Sequence, residues 1–214
     1  MTDASPSPNL RDMSQKDRPL MKRLGLSSDA LPAGGNWYPE DNMLESLLDI
    51  VEARRPRRAL VLNGGLGLAV LARMMADMGE LWLIEHDPQI IEITGNMLQA
   101  VGLHAPVNIV EAELKDYDKH NLWYDRHALS GLPDGLDLIF IDGPPHFCGR
   151  TPRWPAGREL FGRLAPRGIV VLDKGQRVKE KKALARWAEE FPHLRQSKLK
   201  RGGGAVLLSA DNQD

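Results

Sequence analysis

Five places in the chain join the end of an apolar run to residues able to hold a charged or hydroxylated ligand. They are Asn63-Gly64-Gly65-Leu66-Gly67, Glu85-His86-Asp87, Ala112-Glu113, Asp142-Gly143-Pro144-Pro145 and Asp173-Lys174. Ionised carboxylates accept strong, charge-assisted hydrogen bonds, so such a set suits a ligand with cationic groups or hydroxyls. A single strand-end carboxylate is as often structural as functional. Its repetition around a glycine turn argues for a site. Gly64, Gly65 and Gly67 let the backbone approach a ligand closely and open a helix whose N–H groups face it. Glu85, closing the next run, is placed to accept hydrogen bonds from both hydroxyls of a ribose. Together they suggest an adenosine-containing ligand.

Other turns of this kind fit less well. A dinucleotide turn needs a third small residue for close helix–strand packing, and Val70 stands there. No Gly-Lys-Ser/Thr follows the glycines, so a P-loop is absent. The loop GPPHFCGRTPRWP after Asp142 holds His146, either a general base for a hydroxyl or an ordinary loop histidine. Arg150, Arg153 and Arg158 are either anchors for an anionic substrate or a solvated basic loop. Cys148 lacks an apparent activating partner. Trp37-Tyr38-Pro39 either covers the ligand or packs the first helix. His104, His120 and His127 lack metal-ligand spacing.

These residues need a frame, and the apolar pattern supplies one. Runs over 58–63, 81–85, 107–112, 137–142 and 168–173 read as buried strands, and two more strands near 193–200 and 205–209 flank the turn Arg201-Gly-Gly-Gly204. Helices are predicted over 40–54, along Leu68, Leu71, Met74, Met75 and Met78, from the Asp87-Pro88 cap through Val101, near 157–164, and along Val178, Leu184 and Trp187. Residues 114–135 show no clean period and read as a loop with one helix at most. Alternation of strand and helix implies a doubly wound α/β fold: a mostly parallel seven-stranded sheet with an antiparallel edge strand. Residues 1–35, rich in Ser, Pro, Asp and Lys, read as a flexible arm; residues 36–214 read as one domain.

Composition agrees with a globular protein. The chain has 214 residues, 42% hydrophobic, with 28 basic and 29 acidic side chains and a net charge of −1. That balance disfavours nucleic acid as the default partner. One cysteine excludes an internal disulfide, no apolar run is long enough for a membrane span, and the first residues lack a signal-peptide core. The expectation is a cytoplasmic protein.

The run VLNGGLGLAVLARMMADMGELWLIEHDPQ resembles the first two motifs of class I S-adenosylmethionine-dependent methyltransferases, and the resemblance continues through DLIFIDGPP, RLAPRGIVVLDKGQR and RGGGAVLLS. IDGPP, Arg153-Trp-Pro155 and the Trp-bearing helix are similar to a small bacterial O-methyltransferase subgroup. The resemblance implies a Rossmann-like methyltransferase fold, S-adenosyl-L-methionine as cofactor, and methyl transfer to a small-molecule acceptor, at oxygen. Carried over by position, it puts Gly65 and Gly67 under the methionine moiety, Asn63 and Gly64 among the cofactor-binding residues, and Glu85 on the ribose. His86 flanks the adenine, Ala112 and Glu113 meet its amino group, and Asp142 lies beside the sulfonium. Asn63 stands where an acidic residue is usual. Asp142, His146 and Lys174 are the candidate catalytic residues, with Arg150 and Arg153 for the acceptor. Lys174, at the third position of the family's metal-binding variants, disfavours a bound cation, so no metal is expected. An aminopropyltransferase resembling spermidine synthases and a non-catalytic, protein-binding relative are the alternatives.

Overall fold

The structure, a computed structural model, describes residues 41–100 and 107–210. The proposed arm, Trp37, Tyr38 and His104 lie outside the described residues. Helix α1 spans Asp41–Arg54 and is followed by β1 (Arg58–Leu62), α2 (Leu66–Met75), β2 (Glu80–Glu85), α3 (Pro88–Ala100) and β3 (Val107–Glu111). Next come β4 (Leu114–Asp118), β5 (Asn121–Tyr124), β6 (Leu136–Ile141), α4 (Pro155–Leu160), β7 (Leu164–Leu172), α5 (Val178–Glu190), β8 (Arg195–Lys198) and β9 (Val206–Ser209).

Seven strands form one sheet in the order β3-β2-β1-β6-β7-β9-β8. β1 pairs in parallel with β2 and β6, β2 with β3, and β6 with β7. β9 runs against both β7 and β8, so the antiparallel pairing falls at this side of the sheet, with β9 second from its edge. The strands are apolar on both faces because both are covered. Ala59, Val61, Leu138, Phe140, Ile169 and Val171 face a core built with α1, α2 and α3. Leu60, Leu62, Ile139, Ile141, Val170 and Leu172 face a second core with Leu160, Trp187 and the β4–β5 hairpin. Each Val, Leu, Ile or Phe among them contributes about 1.5–3 kcal/mol on burial. No helix among the described residues is long and apolar enough to cross a membrane.

Three local readings are corrected. Residues 114–135 hold the β4–β5 hairpin and a short 3-10 turn at Ala128–Gly131, where a loop with at most one helix was expected. The hairpin turn rests on Asp118, whose carboxylate accepts from the His120 N–H and the Asn121 side chain. The helix expected over 157–164 begins at Pro155 and ends at Leu160, continuing as a 3-10 turn over Phe161–Arg163. Val178, expected in the buried stripe of α5, is 70% exposed. It falls off the three-and-four spacing that aligns Ala183, Leu184 and Trp187. The Asp87 cap is as expected: its Oδ1 accepts the Gln89 N–H at 2.9 Å.

Candidate active site

Strand order reverses between β1 and β6, so the carboxyl ends of these strands open the crevice where doubly wound sheets bind ligands. All five parallel strands direct candidate residues to that edge. Asn63 follows β1 with φ of 85°, a left-handed conformation that asparagine tolerates better than most residues. Gly65, at φ 109°, then turns the chain into α2. No side chain caps α2, which leaves its first N–H groups for other acceptors. At Gly67 a Cβ would come 2.6 Å from Phe140 Cε1, so the glycine permits α2 to lie against β6.

Glu85 organises this turn. Its Oε2 accepts the Gly64 N–H at 2.8 Å, and Oε1 accepts the N–H groups of His86 and Asp87 at 2.7 and 3.1 Å. His86 Nδ1 lies 2.7 Å from Oε1. Burial opposes the charged form, but the His86 contact and these N–H donors outweigh it and hold the Glu85 carboxyl below its usual range. Three backbone N–H groups and the His86 side chain thus meet a carboxylate's roughly four acceptor positions, three of them on Oε1 and one on Oε2. Ala112 is corrected: its N–H, expected at an adenine, donates to the Glu85 carbonyl at 2.8 Å. Glu113 is exposed beyond it.

At the ends of β6 and β7 one guanidinium gathers the Asp142 carboxylate and the backbone carbonyls of Asp142 and Asp173. Arg153 donates through Nη2 to the Asp142 carbonyl at 2.5 Å and to Oδ1 at 3.1 Å, and through Nη1 to the Asp173 carbonyl at 2.9 Å. Its Nε lies 3.8 Å from Glu180 Oε1 on α5. Only 4% exposed, Arg153 is an internal strut and not the free substrate anchor expected from the loop composition. Lys174, left-handed at φ 53°, places Nζ 3.2 Å from Asp173 Oδ2. Burial pushes the Asp142 carboxyl up to about 6; Arg153 and Lys174 work against that rise and Asp173 adds to it. Asp142 keeps 18% side-chain exposure.

His146 and Arg150 are exposed on the loop beyond Asp142, His146 opening the 3-10 turn His146–Cys148 and Arg150 following it. Burial pushes the Cys148 thiol up to about 11, which leaves it a poor nucleophile at neutral pH. Among the described residues no cluster of three or more His, Cys, Asp or Glu side chains is assembled to hold a metal ion.

Tyr124 was missed by sequence reasoning. Its hydroxyl is enclosed, has no hydrogen-bond partner among the described residues, and lies so close to the switch point that a Cβ on Gly143 would meet it at 2.5 Å. Burial first, and the Glu85 charge second, hold its phenol well above the usual range, so it stays a donor. The only sequence signal was an aromatic pair, Trp123-Tyr124, in a segment without period.

No protein-family model matches the chain, and neither does any curated protein sequence. Solved structures do match by shape. The chain is similar to an O-methyltransferase from Bacillus cereus in complex with SAH, at TM-score 0.60 and 14% identity, covering 95% of this chain and 92% of that one. An SAH-bound methyltransferase from Podospora anserina matches at TM-score 0.60 and 15% identity, over 99% and 100% of the two chains. The SAM complex of the O-methyltransferase TomG from Streptomyces achromogenes, involved in tomaymycin synthesis, matches at TM-score 0.58 and 16% identity, over 97% and 92%. The chain therefore has the seven-stranded, doubly wound fold of these methyltransferases.

Proposed function

We propose that this protein is an S-adenosylmethionine-dependent methyltransferase that methylates a small-molecule acceptor at oxygen, in the cytoplasm and without a metal ion. The observation that carries the reading is the convergence of a glycine turn, Glu85 and Asp142 on the strand-order switch, with the buried Tyr124 hydroxyl unsatisfied beside them. An unpaired buried donor costs about 1–3 kcal/mol, a cost a bound ligand would relieve. The residues fit the cofactor on that ground. Gly65 and Gly67 would lie under its methionine part, Glu85 Oε2 would accept from the ribose, and Asn63 from the ammonium. His86 and Glu113 would border the adenine.

When bound, the cofactor supplies an electrophilic methyl on a positively charged sulfur. The chain's own residues need only align the acceptor and take its proton. Asp142, with its carboxyl raised to about 6, is ionised at neutral pH yet basic enough to receive that proton. Arg153 fixes its orientation, while Lys174 offsets the negative charge of Asp173. His146 is a second candidate base and Arg150 an anchor at the mouth. A cation at Asp142 and Asp173 would have to displace the Arg153 and Lys174 contacts, which supports metal-free chemistry.

Calorimetric titration with S-adenosylmethionine, followed by a screen of hydroxylated acceptors with methyl-labelled cofactor, tests the reading. Saturable binding and label transfer to oxygen are expected. A folded protein that does not bind the cofactor overturns it; preference for the decarboxylated cofactor with aminopropyl transfer replaces it.

A further inference from the structure

A cleft of about 750 Å³ lies between the loop after β6 and the first turns of α5, lined by His146, Arg150, Arg177, Val178, Glu180 and Lys182. Its volume is that of a small-molecule site. We infer that this cleft is the acceptor subsite and that it takes an acceptor with an apolar body and an anionic group. The inference rests on the methyltransferase reading for the word acceptor, and on the cleft itself for the chemistry.

Charge is the first argument. Arg150, Arg177 and Lys182 are exposed there, and none makes an ion pair among the described residues. Lys179, also on this wall, is committed: its Nζ donates to the carbonyls of His146 and Gly149 at 2.7 and 2.6 Å, pinning the loop to α5. Glu180 is the acidic member, 2% exposed, with its Oε1 turned to the Arg153 Nε at 3.8 Å. The cleft is therefore polarised. Cations line it on one side, and its acidic member Glu180 is backed by the buried Arg153 that also holds Asp142. A ligand with its anion outward and its hydroxyl inward matches that polarity.

Exposed apolar surface is the second argument. Among the described residues only Ile93, Ile109, Phe147 and Val178 are large hydrophobics left exposed. One of the four, Val178, lines the cleft at 70% exposure, and another, Phe147 at 77%, is the chain neighbour of the lining residue His146. Apolar side chains left in water next to unpaired cations suit a ligand carrying both characters.

Fluorescence titration with 1-anilinonaphthalene-8-sulfonate, against N-phenyl-1-naphthylamine, which has the same ring system without the sulfonate, tests both features. The wild-type protein should bind the sulfonate at least tenfold more tightly. Arg150→Ala with Arg177→Ala should weaken the sulfonate about tenfold and leave the neutral probe unchanged, as expected for loss of charge-assisted contacts. Val178→Ser should weaken both probes. Equal affinity for the two probes, or a double variant that keeps the wild-type preference, overturns the inference. S-adenosylmethionine titration of the same samples separates the two readings. Cofactor binding without probe discrimination removes only the cleft assignment. Discrimination without cofactor binding removes the methyltransferase reading and leaves an anion-binding cleft.

Discussion

Arg153 shows how one side chain can set the chemistry of another. It carries the attraction that limits the rise of the Asp142 carboxyl, so removing it should raise that carboxyl further. The rate of methyl transfer should therefore fall as pH drops through about 6 in the wild type, because the base is then protonated. Arg153→Gln should move that limb to higher pH and cost about 3–5 kcal/mol of stability, since Asp142 and Glu180 lose their buried counterion. Asp142→Asn should remove the limb and lower the rate about 10²–10⁴-fold. A limb that stays in place in Arg153→Gln would exclude Asp142 as the titrating base. Glu85→Ala should weaken cofactor binding about tenfold or more in calorimetry, and should also lower the melting temperature, because the N–H groups of Gly64, His86 and Asp87 lose their acceptor. Glu85 and Asp142 were legible in the sequence because each ends an apolar run. The strut role of Arg153 was not. Its partners are Asp142, Asp173 and Glu180, brought together by three separate elements, and no local spacing encodes that meeting.

Elements show the same division between local and distant information. The core strands were readable because both their faces are buried, which makes each an uninterrupted apolar run. The β4–β5 hairpin escaped because its strands are short and form a sheet of their own, so neither alternation nor a continuous run develops. Yet the hairpin delivers Tyr124 to the switch point. The place where α4 meets α5 was hidden for a related reason. Gly157 is not at a turn, and only the fold shows that a Cβ there would lie 2.5 Å from Trp187 Nε1. That indole donates to the Trp154 carbonyl at 2.9 Å, locking α5 onto α4 beside the Arg153 strut. Gly157→Ala should destabilise the protein by about 1–3 kcal/mol in urea unfolding, as overpacking does. Gly162→Ala is the matched comparison, since nothing lies within 4 Å of its Cβ position, and it should change stability by no more than about 0.5 kcal/mol. Equal losses in the two variants would show that glycine backbone freedom, and not the Trp187 contact, is what matters at Gly157.

At the scale of the whole molecule, the site joins the two halves of the sheet. Asn63 and Glu85 come from β1 and β2, while Asp142 and Asp173 come from β6 and β7 across the strand-order switch. The halves are already tied by the parallel β1–β6 ladder, and the Asp142 N–H donates to the Leu62 carbonyl at 3.2 Å. A ligand that contacts both sets of strand ends binds only the assembled sheet, so its binding free energy adds to the stability of the whole domain. At a cofactor concentration 100-fold above its Kd, that addition is about 2.7 kcal/mol. For a domain of this size it corresponds to a rise in melting temperature of roughly 5–11 °C, at about 2–4 °C per kcal/mol. The rise should appear as a shift of a single transition, because a site built from both halves leaves neither half to melt separately. EDTA should alter neither the starting midpoint nor the shift, since Arg153 and Lys174 already supply the positive charge beside Asp142 and Asp173. A shift that vanishes on chelation and returns with magnesium would mean that a cation, and not the two side chains, completes the site. Two transitions moving apart as cofactor is added would mean that one half of the sheet binds it alone.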